Sequence, residues 1–315
     1  MKNYTHINDI DNIFTWIEEA KTIKENPLKN KKLGKNKTLG LLFFNASLRT
    51  RLSTQKAALN LGMNSIVMNV SGDAWGIEFN KDTIMNGTTA EHIKEAAAVI
   101  SQYCDVIAVR AFPTLTDKEK DESEHVLSSF TKYASVPIIN MESATSHPLQ
   151  GLADALTISE FSVKKKPKVV LSWAPHIKAL PHAVANSFIQ AMQKMDVEFV
   201  ITNPEGYNLN PEITKNTTMT HNQEEAFKNA DFVYAKNWSS YEDYGKVLKM
   251  DVDWMITKDK IGSAKFMHCL PIRRNLVAED AVLDSDNSLV LQQANNRTYA
   301  AQLVLKKLLE ELYKI

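Results

Sequence analysis

Apolar residues along this chain fall into short, nearly unbroken runs. Between them lie longer stretches in which Ala, Leu and Ile recur at helical spacing. In the first half the runs are TLGLLFF (38–44), NSIVMNV (64–70), DVIAVRA (105–111) and VPIINM (136–141). In the second half they are KVVLSWA (168–174), VEFVIT (197–202), DFVYAK (231–236) and AKFMHCL (264–270). Extended runs that are apolar on both faces suit strands covered by helices on both sides. Their alternation with helical stretches predicts βαβ units and parallel sheets. SEFSVKKKPK (159–168) interrupts the pattern with a charge run and a proline. The domain boundary is therefore expected between about 145 and 165, giving domains over 1–150 and 151–296 and a C-terminal helix over 297–315. Leu303, Leu305, Leu308, Leu309 and Leu312 supply the apolar spacing of that last helix.

In open α/β sheets, ligands bind beyond the carboxyl ends of the strands, and residues with chemical potential cluster there. After the strand ending near Phe44 comes NASLRTR. Ser47 suits an N-cap. Leu48, Leu52, Leu59 and Leu61 suggest the buried stripe of the helix, and Gly62 its C-cap. Arg49 and Arg51 in the first turn oppose the helix dipole unless an anion is bound there, and an arginine fork fits phosphate oxygens. The other reading is that both pair with surface carboxylates. Arg110 closes DVIAVR, as either a site residue or a solvated strand end. His147 and Gln150 open a helix in SHPLQG, as caps or as donor and acceptor to a ligand amide. KFMHCLPIRRN (265–275) ends a strand with His268 and Cys269. Neighbours in a strand face opposite ways, so these two do not form a thiol–imidazole dyad.

Length, charge and cysteine content narrow the class. A chain of 315 residues fits two domains. The 37 basic and 37 acidic residues balance, which gives no global attraction to nucleic acid or a membrane, so any anion site is local. Two cysteines make no disulfide framework. The N-terminus carries no charged-then-apolar leader, and a cytoplasmic protein is expected. HExxH, paired CxxC and GxGxxG are absent, so neither a metal nor a dinucleotide cofactor is expected.

SLRTR, HPLQGLAD and HCLP, in this order and spacing, resemble the aspartate/ornithine carbamoyltransferase superfamily, whose first motif usually reads S-T-R-T-R. The resemblance covers essentially the whole chain. Leu48 in place of threonine, and the lack of an S-M-G loop, match the branch acting on N-acylated ornithine; WAPH, YAKNW and CLPIRRN also look like that branch. The resemblance implies two doubly wound α/β domains with the active site in the cleft between them. It also implies a last helix returning to the first domain, and homotrimers with shared sites. APHIKALPHA (174–183) resembles a loop threaded as a knot in that branch.

The same resemblance implies roles for individual residues. Ser47, Leu48, Arg49 and Thr50 would bind the phosphate of carbamoyl phosphate. Arg110 would bridge phosphate and carbonyl oxygen, His147 would contact that oxygen, and Gln150, with Pro148 and Leu149 beside it, the carbamoyl NH2. Cys269, Leu270 and Arg297 would complete the site, and Trp75 would reach a neighbouring subunit's site. Ala90, Glu142, His176, Lys236 and Arg273 match acyl-ornithine positions. Arg110, His147 and Thr50 would stabilise the oxyanion formed when a neutral amine attacks. No covalent intermediate and no cofactor is required. In that branch, acetyl-specific enzymes carry glutamate where this chain has Ala90, so N-succinylornithine is favoured over N-acetylornithine, in arginine biosynthesis. A non-catalytic anion-binding protein is the reading from a different class.

Overall fold

The computed structural model describes residues 1–248 and 253–314. The principal helices and the strands, in chain order, are α1 (Ile13–Glu25), β1 (Thr38–Phe43), α2 (Arg49–Leu61), β2 (Asn64–Asn69), β3 (Ile77–Glu78), β4 (Glu91–His92), α3 (Ile93–Tyr103), β5 (Val106–Arg110), α4 (Lys118–Glu122), α5 (His125–Tyr133) and β6 (Ile138–Glu142). They continue with α6 (Pro148–Phe161), β7 (Lys168–Trp173), α7 (Ala183–Met192), β8 (Glu198–Thr202), β9 (Thr218–Thr220), β10 (Phe232–Lys236), β11 (Lys265–Met267) and α8 (Val290–Leu312). Two parallel sheets result, ordered β2-β1-β5-β6 and β11-β10-β7-β8-β9. All eight strands expected from the apolar runs are present. The edge strand β9 was not expected, because TMT is short, polar and largely exposed.

α6 is buried around its whole circumference from Pro148 to Ile158, as a helix enclosed between layers must be. It runs between the sheets and packs on α7 and α8. The α6–α7 approach is close at Gly151, where a Cβ would lie 2.8 Å from the Ser187 carbonyl oxygen. α8 lies against α1, α2 and α6. It begins at Val290, so Arg297 sits two turns inside the helix rather than ahead of it.

α2 departs from its expected form in two ways. Leu48, not Ser47, precedes the helix; it has helical dihedrals and no side-chain cap. The first-turn amides are thus left for another acceptor. Three of the four leucines of the expected stripe face outward: Leu48, Leu52 and Leu59 are 67%, 58% and 58% exposed, and Leu61 alone is buried. The buried face is Thr50, Ser53, Thr54, Ala57, Ala58, Asn60 and Leu61, mostly small side chains that let α2 lie close to α8. Gly62 caps the helix with φ of 81°, as expected.

The two halves also meet at one edge of the cleft. Asp121 accepts from the Tyr244 hydroxyl at 3.0 Å and Glu122 from that of Tyr241 at 2.8 Å. The Lys118 ammonium lies 3.4 Å from the centre of the Tyr241 ring. Gly245 has φ of 73°, and a Cβ there would stand 1.9 Å from the Leu115 carbonyl oxygen.

Gly151→Ala tests the α6–α7 approach. Alanine is favoured over glycine in a helix interior by about 1 kcal/mol, but overpacking costs about 1–3 kcal/mol. The expected result in urea unfolding is a net loss of stability of about 1 kcal/mol, opposite in sign to the propensity effect.

Candidate active site

Strand ends and helix starts bring one set of side chains together. The loop after β1 leads into α2, which supplies Arg49 and Thr50. β5 ends with Arg110 and β6 with Glu142, and α6 begins after His147. Lys236 ends β10, His268 and Cys269 follow β11, and Arg297 comes from α8. Thr50, Arg110, Glu142, His147, Gln150, Lys236 and Arg297 are all buried.

Two arginines organise the cluster. Arg297 donates from Nη1 to Gln150 Oε1 at 2.7 Å and from Nη2 to Thr50 Oγ1 at 3.2 Å, tying α8, α6 and α2 to one guanidinium. Arg110 Nη2 lies 3.0 Å from Glu142 Oε2, and His147 Nε2 lies 3.5 Å from the same oxygen. The Arg110 guanidinium also stacks over Phe112, 4.5 Å from the ring centre. Several polar atoms here are buried without a partner: Arg110 Nε, Arg297 Nε, His147 Nδ1 and Asp154 Oδ2. Orphaned buried polar atoms are rare in folded interiors, and their concentration in this cluster marks a place for a polar ligand.

The electrostatics reflect crowding of positive charge. Burial, then Arg297, Arg110 and Lys236, push the His147 pKa well down, so the imidazole is neutral. Burial lowers Arg297 to about 10, and it stays a cation at neutral pH. Arg110 is lowered by burial and by Arg49, although Glu142 opposes the shift. Burial raises Glu142 despite the surrounding cations. Burial also raises the Cys269 thiol, which disfavours the thiolate that nucleophilic chemistry needs.

Motif residues outside this knot are placed as follows. Arg51 turns away, bonding Asn69 and lying 4.8 Å from the Phe43 ring centre. It does not share the phosphate cradle suggested by SLRTR. Lys236 Nζ donates to the Asn237 carbonyl at 3.0 Å. Arg273 Nε lies 3.4 Å from His176 Nε2. Leu270 has φ of 56°, and its amide donates to His268 Nδ1 at 2.8 Å. Trp75 and Ala90 belong to the arm around β3 and β4. Trp75 is 61% exposed and donates to Glu91 Oε2 at 2.8 Å, while the Ala90 amide donates to the Gly76 carbonyl. Both bonds stay within the arm.

Three supporting residues were not singled out in the sequence. Asp154 Oδ1 accepts from Gln150 Nε2 and from Gln293 Nε2, each at 2.7 Å. Gln293 Oε1 in turn accepts the His268 amide at 2.9 Å. Asp154 thus fixes the orientation of the Gln150 amide and, through Gln293, the start of the HCLP turn. Glu124, at φ 52°, binds Ser143 Oγ, the Thr145 hydroxyl and two amides, holding the turn from β6 into α6. The available signal for Asp154 was a charged residue inside an otherwise apolar helix.

Among the described residues, no group of three or more His, Cys, Asp or Glu is arranged to hold a metal ion. No described helix is long and apolar enough to cross a membrane.

Comparison with known proteins identifies the family. Residues 2–160 match the carbamoyl-phosphate-binding domain of the aspartate/ornithine carbamoyltransferases, and residues 181–308 match their Asp/Orn-binding domain. The chain belongs to this family and is a carbamoyltransferase. It is similar to N-succinylornithine carbamoyltransferase of Bacteroides fragilis, with 46% identity over 99% of this chain and 100% of that protein. It is 39% identical to N-acetylornithine carbamoyltransferase of Xanthomonas axonopodis pv. citri, over 89% of each chain. The fold is similar to that of an N-acetyl-L-ornithine transcarbamylase variant, a glutamate-to-alanine mutant complexed with carbamyl phosphate and N-succinyl-L-norvaline. There the TM-score is 0.89, with 35% identity over 98% of this chain and 100% of that chain.

Asp154 yields a pH prediction. Burial is the largest influence on its carboxyl and raises it to about 7, against about 3.9 when unfolded. The folded state holds the extra proton between these values, so the contribution of Asp154 to stability is fully present below about pH 4 and is lost as pH rises through about 7. Asp154→Asn should flatten this part of the stability–pH curve, measured by chemical unfolding at a series of pH values.

Proposed function

We propose that this carbamoyltransferase carries the carbamoyl group of carbamoyl phosphate to the δ-amine of N2-succinyl-L-ornithine, giving N-succinyl-L-citrulline and phosphate. The observation that carries the reading is the buried convergence of Thr50, Arg110, His147, Gln150 and Arg297 on one point rich in unpaired donors. In this reading the first domain, residues 1–150, holds carbamoyl phosphate and the second, 151–296, the acyl-ornithine. The phosphate rests on the open first-turn amides of α2 with Ser47, Leu48, Arg49 and Thr50. A helix terminus and a guanidinium both favour a dianion there.

The reaction follows from the charges. A free δ-amine has a pKa near 10.4, and crowded cations with little water favour its neutral form. Its lone pair attacks the carbamoyl carbon and the carbonyl electrons move onto oxygen. Arg110, neutral His147 and Thr50 donate to that oxyanion. Loss of one such donor typically lowers turnover by about 10²–10³. The carbonyl re-forms, the C–O bond to phosphorus breaks, and phosphate leaves with the electron pair onto Arg49 and the α2 terminus. Gln150 Oε1, oriented by Arg297 at the oxygen and by Asp154 at the amide nitrogen, and the backbone at Cys269 and Leu270 take the carbamoyl nitrogen. Lys236 and Arg273, with His176, face the substrate carboxylates.

Ala90 supports the succinyl group, since a small neutral side chain leaves room and charge balance for a second carboxylate. The complex of the glutamate-to-alanine relative with N-succinyl-L-norvaline agrees with this choice. Exposed apolar residues also support a homotrimer. Leu52 and Leu59 on α2, Ile66 on β2, and Trp75 and Ile84 on the arm present an apolar surface to solvent, and such surfaces mark protein–protein contacts.

Two experiments test this reading. Citrulline-forming kinetics with both acyl-ornithines should give the higher kcat/KM with succinylornithine, and Ala90→Glu should reverse the preference toward acetylornithine. Faster use of acetylornithine by the unaltered chain refutes the acyl assignment. Leu52→Glu should convert a trimer to monomers in analytical ultracentrifugation, whereas a monomeric parent protein removes the shared-site reading.

A further inference from the structure

Glu142 stands in an unexpected place for a residue assigned to the amino-acid substrate. Its Oε2 is 3.0 Å from Arg110 Nη2 and 3.5 Å from His147 Nε2. These are two of the three groups that the proposed function aims at the carbonyl oxygen of carbamoyl phosphate. A single oxygen between a guanidinium and an imidazole is the arrangement of a bound oxyanion. Carbamoyl phosphate cannot take both donors while that carboxylate oxygen holds them. A carbonyl oxygen seated between these same two groups takes the place of the Glu142 oxygen, and a side-chain rotation of Glu142 makes room for it.

Resting on the proposed carbamoyl transfer, we infer that Glu142 is the proton acceptor for the attacking amine. In the free enzyme it is parked on Arg110 and His147, and carbamoyl phosphate releases it. The step balances within the site. The nitrogen lone pair forms the N–C bond, and the C=O π electrons pass to oxygen. The N–H proton goes to a Glu142 oxygen. Collapse of the tetrahedral adduct breaks the C–O bond to phosphorus, and phosphate departs with that pair. The glutamic acid then returns its proton to phosphate or to solvent. Other candidates are poorly suited: neutral His147 is needed as a donor to the oxyanion, Arg49, Arg110, Lys236 and Arg297 are cations, and the Asp154 carboxyl is engaged by Gln150 and Gln293. Burial raises Glu142 toward the range where a carboxylate is a better base.

The arrangement predicts opposite effects on binding and on chemistry. In Glu142→Gln the amide is a weaker competitor for Arg110. Calorimetric titration without amine should show carbamoyl phosphate binding about tenfold more tightly than to the parent enzyme, because a charged hydrogen bond no longer has to be broken. Inorganic phosphate, which lacks the carbonyl, should gain less. Turnover with succinylornithine should fall by about 100-fold or more. Glu142→Asp keeps a carboxylate on a shorter stem, and should recover part of the turnover while also binding carbamoyl phosphate more tightly. Unchanged or weaker carbamoyl phosphate binding in both variants overturns the parking contact. An equal gain for phosphate reduces it to a general charge effect and also overturns it. Turnover of Glu142→Gln within tenfold of the parent overturns the proton-acceptor role. Failure of the parent enzyme itself to bind carbamoyl phosphate would instead refute the proposed function.

Discussion

The architecture is governed by the burial of several cations around one point. Arg110, Arg297 and Lys236 are removed from water together, with Arg49 close enough to depress Arg110. Isolated buried charges are expensive and persist when paired and hydrogen-bonded. Here the protein supplies less than full compensation. Glu142 answers Arg110, Gln150 and Thr50 receive the forks of Arg297, and some nitrogens keep no partner. The deficit leaves the cluster with an excess of positive charge that favours an anion.

Everything around that point keeps the cations from relaxing. Arg297 cannot swing away, because α8 is packed between α1, α2 and α6 and its guanidinium is held at both ends. Gln150 cannot flip its amide without losing Asp154. The Ser187 hydroxyl fixes the His147 amide at 2.8 Å, while Glu124 clamps the preceding turn. Such support is what electrostatic stabilisation of a developing charge requires, since donors already in place need not reorganise.

The sheets were legible because parallel strands are apolar on both faces, a signal that does not depend on partners. The α2 stripe was not. Leucine at helical spacing signals a buried face only if that face meets the chain's own core, and here serine, threonine and alanine meet α8 instead. Motif residues were legible as chemistry but not as geometry. Nothing local tells that Arg49 stays at the cluster while Arg51 turns to Asn69 and Phe43. Gln293 was invisible for another reason: its meaning comes from Asp154, 139 positions earlier. The ion pair of Glu142 with Arg110 and its approach to His147 were not legible either, because they join the ends of separate elements.

α6 lacks a solvent face over eleven consecutive residues and carries His147 at one end. A rod enclosed on every side transmits rather than absorbs displacement, because interiors packed at crystal density have little slack. Changes of volume far along this helix, at Leu156 or Ile158, are therefore felt as movements of the end that carries His147. Drift in this stretch is confined to exchanges that conserve volume, and the chain holds its reactive end in register by leaving its own axle no free surface.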